Sequence, residues 1–439
     1  MKQILFTIQY LLFTFICSAQ TYEWQPLPEG IYGTPLGTTR VESMVALTDT
    51  NLMYVAGNFD SAGSLPCSGF AIWNGLNFSI FNGGPWITMS TYQNQIAAAG
   101  GTPAKLIYLI DNLIFTLIGQ ANSDIHSLIE YKGDLYAGGD FTNMDGVPCN
   151  GIARWDGTSW HPCGTGVTVS GGASVDALGV YNGKLYVGGY FEFAGGIPAW
   201  NLAAWDSTNW QSIGIGTSQT GNYYAGSVME MGTFNNKLFI AGLFNEVNGL
   251  YTSPLAYTDG VNWFPTNNSG LGFIYDIKEF ENKLFMATTP YQVYTSNDGV
   301  NFTLVGSLFN GNIKSLEVFN DTLYAAGGFE MCGGTPCYRI ARLVQLPDDT
   351  TGVSQLAVGS MQLVVYPNPV ERQLTVVLRQ AHHDSYAISI TDLLGRQLIV
   401  TKPANTKTEI DVTALSAGVY LLMVEGKNGI VGVSKFIKQ

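Results

Sequence analysis

Residues 185–214 read LYVGGYFEFAGGIPAWNLAAWDSTNWQSIG and contain a pattern of strands, loops and turns that indicates the fold. An apolar strand ends in a glycine pair, a longer loop follows, and the next strand ends at Trp205. A tight turn at residues 206–209 then leads to a further strand that opens on Trp210. Aromatic residues favour strands, and glycine at a strand end allows neighbouring backbones to approach closely.

The same pattern recurs along the chain. Its second strand begins at seven anchor residues: Tyr54, Ala97, Tyr136, Tyr186, Phe239, Phe285 and Tyr324. The anchors are spaced by 39 to 53 residues, or 45 on average. An alternating strand and a turn rich in Asn and Gly precede most anchors, as in a two-residue hairpin. Four antiparallel strands in each of seven units predict an all-β, seven-bladed β-propeller over residues 20–345.

The start of this region contains a fourth strand with nothing before it. In TYEWQPLPEG, residues 21–30, Trp24 takes the position that Trp160 and Trp210 occupy in later units. The seventh unit, in contrast, ends after its third strand, at residues 338–343. We therefore expect the N-terminal strand to complete the last blade, which would close the ring and remove two exposed sheet edges.

The units resemble kelch-like repeats, in which a small-residue pair closes the second strand and W-D-x-x-x-W spans the last hairpin. The resemblance covers about residues 22–345 and is weaker in the second and sixth units. The sixth unit carries TSNDGVNFT, residues 295–303, which looks like the Ser-x-Asp-x-Gly box of sialidase-type propellers and is expected to be a structural hairpin. Tryptophans recur at two unit positions and are expected to pack between blades: Trp73, Trp155 and Trp205, and Trp160, Trp210 and Trp263.

The first 19 residues, MKQILFTIQYLLFTFICSA, have a different character. One lysine precedes an apolar run, and small residues precede Gln20, as at the cleavage site of a secretory signal peptide. The run is short for a membrane span and no basic stop-transfer segment follows, which favours a signal peptide over a membrane anchor. Cys17 lacks the processing context of a lipoprotein, so we expect no lipid anchor, and no other apolar run predicts a transmembrane span.

Charge is distributed unevenly along the chain, whose formal net charge is −13. Residues 20–361 carry 11 basic and 27 acidic groups, whereas residues 362–439 carry 8 basic and 6 acidic groups. A strongly acidic body repels nucleic acid and anionic membranes. Its ligands are therefore expected to be neutral, cationic or bridged by a metal ion.

The C-terminal part has its own pattern. Residues 346–361 are polar and small and predict a linker, and residues 362–439 predict a small Ig-like antiparallel β-sandwich. Spaced motifs in the sandwich include these residues: Tyr366, Pro367, Asn368, Pro369, Asp392, Gly395, Arg396, Gly418, Tyr420, Lys435 and Lys438. They resemble the sorting signal of the type A C-terminal sorting domain of type IX secretion substrates. The resemblance implies Sec export to the periplasm, recognition by the type IX translocon and sorting machinery, and then release or attachment to surface lipopolysaccharide.

Motifs for catalysis or metal binding are not evident in the sequence. The histidines, His126, His161, His382 and His383, have no metal-ligand spacing, and there is no G-x-S-x-G motif or phosphate-binding loop. Residues 140–146, DFTNMDG, loosely resemble a calcium loop with oxygens at the wrong offsets. Acidic residues at equivalent loop positions are expected to be solvated loop caps: Asp60, Asp140, Glu192 and Glu330. We therefore predict no catalytic residue, metal or cofactor from motifs, although a propeller can assemble a site from distant residues at its channel.

Cysteine positions allow two local disulfides after oxidative export. Cys332 and Cys337 flank one loop, and Cys149 and Cys163 flank one hairpin. Cys67 would then be free.

Connection lengths indicate which face of the propeller binds a ligand. Tight turns join the first to the second and the third to the fourth strand on one face, so the longer loops and the links between blades lie on the other, where functional loops tend to occur. Aromatic residues that do not recur in the repeats are the candidate ligand-binding residues on that face: Trp200, Tyr338, Tyr223 and Tyr224. Aromatics among acids and amides suit a neutral glycan or a surface-protein loop.

Two functions remain open at this stage. We favour a non-enzymatic, secreted or surface-attached propeller that binds a ligand or partner. The alternative is a carbohydrate-active hydrolase or lyase, which would need paired carboxylates across the mouth of the channel. A purely structural adhesin scaffold is a third possibility.

Overall fold

The computed structural model describes the residues in these ranges: 22–33, 39–47, 49–80, 86–100, 105–111, 114–219, 226–252, 254–266, 270–346, 356–357, 362–366, 370–379, 387–392, 396–402, 407–426 and 429–439. The expected signal peptide lies outside these ranges. The chain divides into two compact units, one spanning Thr21–Leu346 and the other containing Pro347–Gln439. Every regular element in the described ranges is a β-strand, and no helix there has the length and apolar character needed to cross a membrane.

In its described part, the first unit contains seven antiparallel arrays of four strands, numbered here as sheets 1 to 7 in chain order. Sheet 1 consists of β3 (Arg40–Leu47), β4 (Leu52–Asn58), β7 (Phe70–Trp73) and β8 (Phe78–Ile80), and sheet 2 of β9 (Trp86–Tyr92), β10 (Gln95–Gly100), β11 (Lys105–Asp111) and β12 (Ile114–Ala121). Sheet 3 consists of β13 (Ile125–Tyr131), β14 (Asp134–Gly139), β17 (Ile152–Trp155) and β18 (Trp160–Pro162). Sheet 4 consists of β20 (Ser174–Tyr181), β21 (Lys184–Tyr190), β24 (Leu202–Trp205) and β25 (Trp210–Ser212). Sheet 5 consists of β27 (Val228–Phe234), β28 (Lys237–Gly242), β31 (Leu255–Thr258) and β32 (Trp263–Pro265). Sheet 6 consists of β33 (Ile274–Phe280), β34 (Lys283–Thr288), β35 (Gln292–Ser296) and β36 (Thr303–Leu304). Sheet 7 consists of β37 (Ile313–Phe319), β38 (Thr322–Gly327), β41 (Ile340–Gln345) and β1 (Tyr22–Pro26).

The first strands of these sheets form a ring. Each of β3, β9, β13, β20, β27, β33 and β37 packs beside the next, and β37 packs beside β3. Apolar clusters fill the space between neighbouring sheets, as where Tyr324 and Ile340 of sheet 7 pack with Met53 and Trp73 of sheet 1. Antiparallel sheets repeated radially about a channel are the arrangement of a β-propeller.

The strand expected to complete the last unit is β1. It pairs antiparallel with β41, from Tyr22 opposite Gln345 to Pro26 opposite Ala341. The N-terminal strand therefore provides the outer strand of sheet 7.

Each first strand carries a β-bulge close to its start. One residue per strand is left without a partner on the second strand: Glu42, Ile87, His126, Asp176, Met229, Tyr275 and Lys314. A bulge bends a strand and re-aims its side chains. It also explains a glycine of the repeated pair, because a Cβ at Gly139 would collide with the carbonyl oxygen of Asp124 in the bulged segment.

In sheets 1, 3, 4, 5 and 7, the loop from the second to the third strand forms a small hairpin that pairs with the segment arriving from the preceding sheet. These short strands are β2 (Ile31–Tyr32), β5 (Ser61–Ala62) and β6 (Leu65–Pro66); β15 (Asn143–Met144) and β16 (Val147–Pro148), which extend β12; β19 (Val167–Thr168), β22 (Phe193–Ala194) and β23 (Ile197–Pro198); β26 (Thr217–Ser218), β29 (Glu246–Val247) and β30 (Leu250–Tyr251); and β39 (Met331–Cys332) and β40 (Thr335–Pro336). A buried phenylalanine starts each hairpin: Phe59, Phe141, Phe191, Phe244 and Phe329.

The W-D-x-x-x-W segments are structural hairpins. The rings of Trp205 and Trp210 lie 5.2 Å apart, and Asp206 Oδ1 accepts N–H groups from Thr208 and Asn209. In the sixth unit, Asp298 Oδ1 accepts the N–H of Val300 at 2.8 Å in the same way. The box that resembles a sialidase motif therefore forms a turn.

Cysteine pairing is resolved at one of the two predicted positions. Cys332 and Cys337 form a disulfide, with Cα atoms 5.9 Å apart. Cys67, Cys149 and Cys163 are buried free thiols, so the second local bridge is not formed in this structure.

The second unit contains two antiparallel sheets in its described residues. One consists of β42 (Leu356–Ala357), β49 (Gly429–Lys438), β48 (Gly418–Gly426), β45 (Ala387–Thr391) and β46 (Gln397–Thr401), and the other of β43 (Gln362–Tyr366), β44 (Gln373–Arg379) and β47 (Lys407–Asp411). A single apolar cluster that includes Leu374, Ile390 and Phe436 joins them. The predicted linker is corrected at one point, since Leu356 and Ala357 pair with β49. Two residues can join a sheet through backbone hydrogen bonds without any side-chain periodicity, so the sequence pattern did not indicate this short strand.

Candidate functional site

A cavity of about 510 Å³ lies among the first strands of the ring, and we call it the channel cavity. Its lining residues are 42–46 of β3, 87–91 of β9, His126 of β13, Glu230 of β27, Tyr275, Asp276 and Lys278 of β33, and 314–317 of β37. The cavity is thus built from six sheets that are far apart in the sequence.

Bulge residues line part of this cavity. Glu42, Ile87, His126, Tyr275 and Lys314 occupy one repeat position yet differ in charge, size and polarity. The phenylalanines of the hairpins recur and are buried, as packing requires. Side chains that vary at a repeated lining position are not dictated by the packing of the repeat, and they make this part of the channel a candidate binding site.

Charged groups concentrate on the wall formed by sheets 5 to 7. Lys278 Nζ donates to Glu317 Oε2 at 2.8 Å, with the Glu317 side chain only 12% exposed. Asp276 Oδ2 accepts the N–H of Leu316 at 2.6 Å. Glu230 Oε1 accepts the N–H of Met231 at 3.0 Å. Each carboxylate is therefore held by the strand that carries it or by its neighbour.

Burial sets the protonation of this wall. It raises the pKa of Asp276 to about 6, against the opposing effect of Lys278. Burial, and then the nearby Asp276 carboxylate, raise the pKa of Glu230 well above its ordinary value. Burial alone would lower the pKa of Lys278, but Glu317 and Asp276 outweigh it and raise that pKa. At neutral pH the wall therefore combines an ion pair with a carboxyl group that retains its proton more readily than a solvated one.

The walls from sheets 1 and 2 supply hydroxyl groups instead. Ser43, Thr88, Ser90 and Thr91 line the cavity there, with few charges. Ser315, on the charged side, accepts the N–H of Met44 at 3.1 Å and so joins sheet 7 to sheet 1. The cavity can thus offer both donors and acceptors to a polar ligand.

Beside the cavity the structure brings together three side chains that spacing did not connect. Ligand atoms of His126, Asp140 and Asp176 all lie within 4.8 Å of one another. The expectation of no metal-ligand grouping was based on spacing along the chain. Spacing does not reveal this group, because its residues come from two sheets and meet only in the fold.

Two of the acids expected to be solvated caps, Asp140 and Glu330, pair with basic side chains, although their own side chains remain 43% and 47% exposed. His126 Nε2 lies 3.0 Å from Asp140 Oδ1, and Arg339 Nη2 donates to Glu330 Oε1 at 2.9 Å. Asp60 is exposed and Glu192 is half-buried.

The aromatic residues predicted to bind ligand are not gathered at one place. Trp200 is half-buried and lies beside Gly216, which belongs to the link that follows sheet 4. Tyr338 belongs to sheet 7, is 40% exposed and has its ring 5.0 Å from that of Tyr32. Neither residue lines the channel cavity, and Tyr223 and Tyr224 lie outside the described residues.

The described residues of the sorting signal stabilise the second unit. Asp392 Oδ1 accepts the N–H of Arg396 at 2.9 Å and closes the turn between β45 and β46. Gly418 pairs with Lys438, and Lys435 pairs with Leu421, across β48 and β49. The Tyr420 ring stacks on Phe436, and its hydroxyl donates to Ser416 O at 2.8 Å. Tyr366 ends β43, whereas Pro367, Asn368, Pro369 and Gly395 fall outside the described ranges.

A family comparison identifies this unit. The model for the secretion system C-terminal sorting domain matches residues 364–439. These residues are a C-terminal sorting domain. The match confirms the resemblance drawn from the sequence, and such a type IX sorting domain indicates handling by the secretion machinery and export to the cell surface or secretion.

Other comparisons add no identity to the first unit. No curated protein matches the chain. Similar solved structures include PorZ, an essential bacterial surface component of the type-IX secretion system of Porphyromonas gingivalis (15% identity, TM-score 0.37, 91% of this chain and 65% of PorZ). They also include the extracellular domain of BT4673 from B. thetaiotaomicron (10%, 0.49, 96% and 60%) and the WD40 β-propeller domain of Doa1 (12%, 0.46, 74% and 98%). The chain spans less than two thirds of the PorZ and BT4673 structures.

Sequence reasoning missed the residues of the channel cavity, although a signal for them exists. They lie on the first strand of each unit, just before the hairpin that leads to the anchor. Aligning these first strands would have shown that Glu42, His126, Tyr275 and Lys314 share one position and differ in chemistry.

Proposed function

We propose that this protein is a kelch-like propeller, with sheets 1 to 7 as its seven blades, that binds a neutral, hydroxyl-rich ligand such as a glycan chain end. In this proposal the signal peptide directs Sec export, and the Ig-like sandwich of residues 362–439 then directs type IX secretion. The protein therefore acts outside the cell, released or attached to the surface. The observation that supports a binding role is the channel cavity, which is lined in part by bulge residues that differ in charge, size and polarity.

The size and lining of the cavity support this ligand class. Small-molecule sites usually have volumes of roughly 300–1,000 Å³, and the channel cavity of about 510 Å³ falls in that range. Its hydroxyl, carboxylate and ammonium groups match the donors and acceptors of a polyol better than an apolar ligand. The acidic body disfavours polyanions.

Tyr275 is the residue on which we expect a sugar ring to pack. It is half-buried at a bulge position and lines the cavity. An aromatic ring provides a large apolar contact surface at small entropic cost, beside polar groups that fix the orientation of the ligand. Lys314 Nζ lies 4.2 Å from the Tyr275 ring centroid and helps to hold the ring in place.

One observation favours the alternative, a glycan hydrolase or lyase. Asp276 lies close enough to Glu230 to raise its pKa, after the larger effect of burial, and burial also raises the pKa of Asp276, so both acids hold their protons more tightly than solvated acids. A general acid in glycoside cleavage needs such a raised pKa. Release of reducing sugar that is lost in Glu230→Gln, with binding retained, would establish the enzyme instead of the binder.

A glycan array tests the proposal directly. Purified chain 20–439 is expected to bind a defined set of neutral glycans, and Tyr275→Ala should lose that signal. Tyr251→Ala is the matched control, since Tyr251 is 67% exposed on the hairpin of sheet 5 and does not line the cavity.

Two further variants locate the binding surface. If Trp200→Ala and Tyr338→Ala abolish binding while Tyr275→Ala does not, the ligand binds the loops and not the cavity. If the folded wild-type protein binds no glycan, the proposed ligand class is wrong and a structural scaffold becomes the better description.

A further inference from the structure

The cluster of His126, Asp140 and Asp176 is the strongest site not used by the proposed function. His126 and Asp176 are the bulge residues of β13 and β20, and Asp140 directly follows β14. Bulges at equivalent positions of neighbouring sheets bring His126 and Asp176 within reach of each other. One nitrogen and two carboxylate oxygens then lie within 4.8 Å, and His126 Nε2 is 3.0 Å from Asp140 Oδ1.

Surrounding groups hold the ligand atoms in place. Ser227 Oγ, from the start of sheet 5, donates to Asp176 Oδ2 at 3.0 Å, and Ser174 Oγ donates to Asp176 Oδ1. The N–H of Asp140 donates to Asp124 O at 2.9 Å, which fixes the start of its loop. Hydrogen bonds from outside the coordination sphere orient metal ligands and tune their affinity.

The site also opens on a space that a ligand can fill. Of the three residues, His126 lines the channel cavity, so a metal bound to its imidazole would lie at the edge of that space. Three protein ligands with an open position are the usual arrangement at zinc sites that bind substrate. The cavity is an observation separate from the cluster and points to a bound molecule at the same place.

We infer that His126, Asp140 and Asp176 form a binding site for a divalent transition metal of the Zn²⁺ class at the rim of the channel cavity. An imidazole combined with two carboxylates suits Zn²⁺ better than Ca²⁺, which prefers a larger set of oxygen ligands. This site does not depend on the proposed glycan. It agrees with the acidic charge of the body, which favours cations over anions.

A second histidine–aspartate pair provides the matched control. His161 Nε2 lies 2.7 Å from Asp156 Oδ2, but Asp156 Oδ1 is engaged by the N–H groups of Thr158 and Ser159. This pair is not part of a three-ligand grouping among the described residues. His161→Ala therefore removes an imidazole of similar exposure, 40% against 33% for His126, without removing the site.

Zn²⁺ binding is measured by titration calorimetry on the chelator-stripped, tag-free chain 20–439. His382 and His383 are replaced by Ala in every sample, so that His126 and His161 are the only histidines of the parent chain. We expect one Zn²⁺ per chain, a rise in melting temperature on loading, and affinity at least about tenfold weaker in His126→Ala and Asp176→Asn. His161→Ala should bind as the parent does.

Three outcomes would overturn the site: no Zn²⁺ binding by the folded protein, equal affinity in His126→Ala and His161→Ala, or tighter binding of Ca²⁺ than of Zn²⁺. Asp140→Asn, which preserves shape, provides the test should another variant fail to fold, and circular dichroism checks each sample. Since glycan is absent from this titration, its result does not depend on the glycan array. A glycan titration with and without Zn²⁺ then shows whether the metal contributes to ligand binding.

Discussion

Trp24 Nε1 donates to the carbonyl oxygen of Val305 at 3.1 Å, which connects the N-terminal strand to sheet 6. Trp160 makes the same bond to Ile118 O at 2.7 Å, and Trp210 makes it to Cys163 O at 2.8 Å. The residue after Val305 is Gly306, where a Cβ would press against the Trp24 ring. The N-terminal tryptophan therefore contacts the preceding sheet as those of sheets 3 and 4 do.

Trp24→Ala tests this closure of the ring. Trp24 is 2% exposed, so its loss should lower the free energy of unfolding by about 3–5 kcal/mol, the cost of truncating a large buried aromatic residue. Tryptophan fluorescence in urea reports the first unit alone, because all nine tryptophans lie between Trp24 and Trp263. Trp160→Ala gives the cost at an internal position, and an unchanged midpoint in Trp24→Ala would mean that the N-terminal strand is a loose tail.

Arg339 is predicted to reinforce the same closure. It is 3% exposed, and its guanidinium donates to Thr39 O at 3.2 Å and to Ile31 O at 3.3 Å, in the segment that links sheet 7 to sheet 1. Its φ of 73° is close to the 72° of Gly151, the equivalent residue of sheet 3. Arg339→Gly therefore suits the backbone and removes the side-chain bonds.

We expect Arg339→Gly to lower the free energy of unfolding by about 1–3 kcal/mol, because two buried carbonyl groups lose their donor. Arg342→Ala, an exposed change on the same strand, should stay within about 0.5 kcal/mol of the wild type. An Arg339→Gly protein more stable than wild type would show that relief of the left-handed backbone outweighs the lost bonds.

Asp276, half-buried on the wall of the channel cavity, predicts a dependence of stability on pH. Its pKa is about 6 in the folded protein against an ordinary 3.8. The folded state favours the protonated carboxyl. The contribution of Asp276 to the free energy of unfolding is therefore fully present below about pH 4 and is lost as the pH rises through 6. The raised pKa of Glu230 contributes in the same direction.

Asp276→Asn keeps the acceptor for the Leu316 N–H and removes this titration. Wild type should lose stability relative to Asp276→Asn between about pH 4 and about pH 6.5, followed as the urea midpoint by tryptophan fluorescence, and the two curves should run parallel above that range. Glu279→Gln, an exposed change on the same strand, is the control and should track the wild type. Parallel curves for wild type and Asp276→Asn within that pH range would mean that Asp276 titrates as a solvated acid.

Export is tested with a reporter that carries residues 1–19, the proposed Sec signal peptide, at its N-terminus and the second unit at its C-terminus. Fusion of residues 347–439 should place the reporter on the surface or in the medium of a host with type IX secretion. Fusion of residues 360–439 lacks Leu356 and Ala357, which pair with β49, and should be exported less efficiently. Asp392→Ala removes the acceptor of the β45–β46 turn and should reduce export, whereas full periplasmic retention of the longer fusion would contradict the sorting role.

Which features of the structure the sequence predicts depends on how far apart along the chain their residues lie. Strand order, tight turns and the position of Trp24 follow from spacing within one repeat of about 45 residues, and the sorting domain is readable from local motifs that the family match confirms. The cavity wall of Glu230, Asp276 and Glu317 comes from three repeats. Its formation depends on bulges that only an alignment of first strands would reveal.

The same limit explains the candidate site. The choice of aromatics that do not recur in the repeats directed attention to loop residues such as Trp200 and Tyr338, which lie in different units and do not line the channel cavity. His126 and Asp176 lack local metal spacing because a propeller places equivalent residues side by side that are a full repeat apart in the chain. Ring geometry, more than local spacing, determines which side chains meet.

The most direct measurement is the affinity of the strongest array glycan for wild type and for Tyr275→Ala, by titration calorimetry on chain 20–439. Loss of a central aromatic contact in a binding site typically costs about 2 kcal/mol or more, which corresponds to roughly a thirtyfold weaker affinity. We predict a loss of at least that size in Tyr275→Ala and none in Tyr251→Ala. Equal affinity in wild type and Tyr275→Ala would contradict the channel cavity as the ligand-binding site.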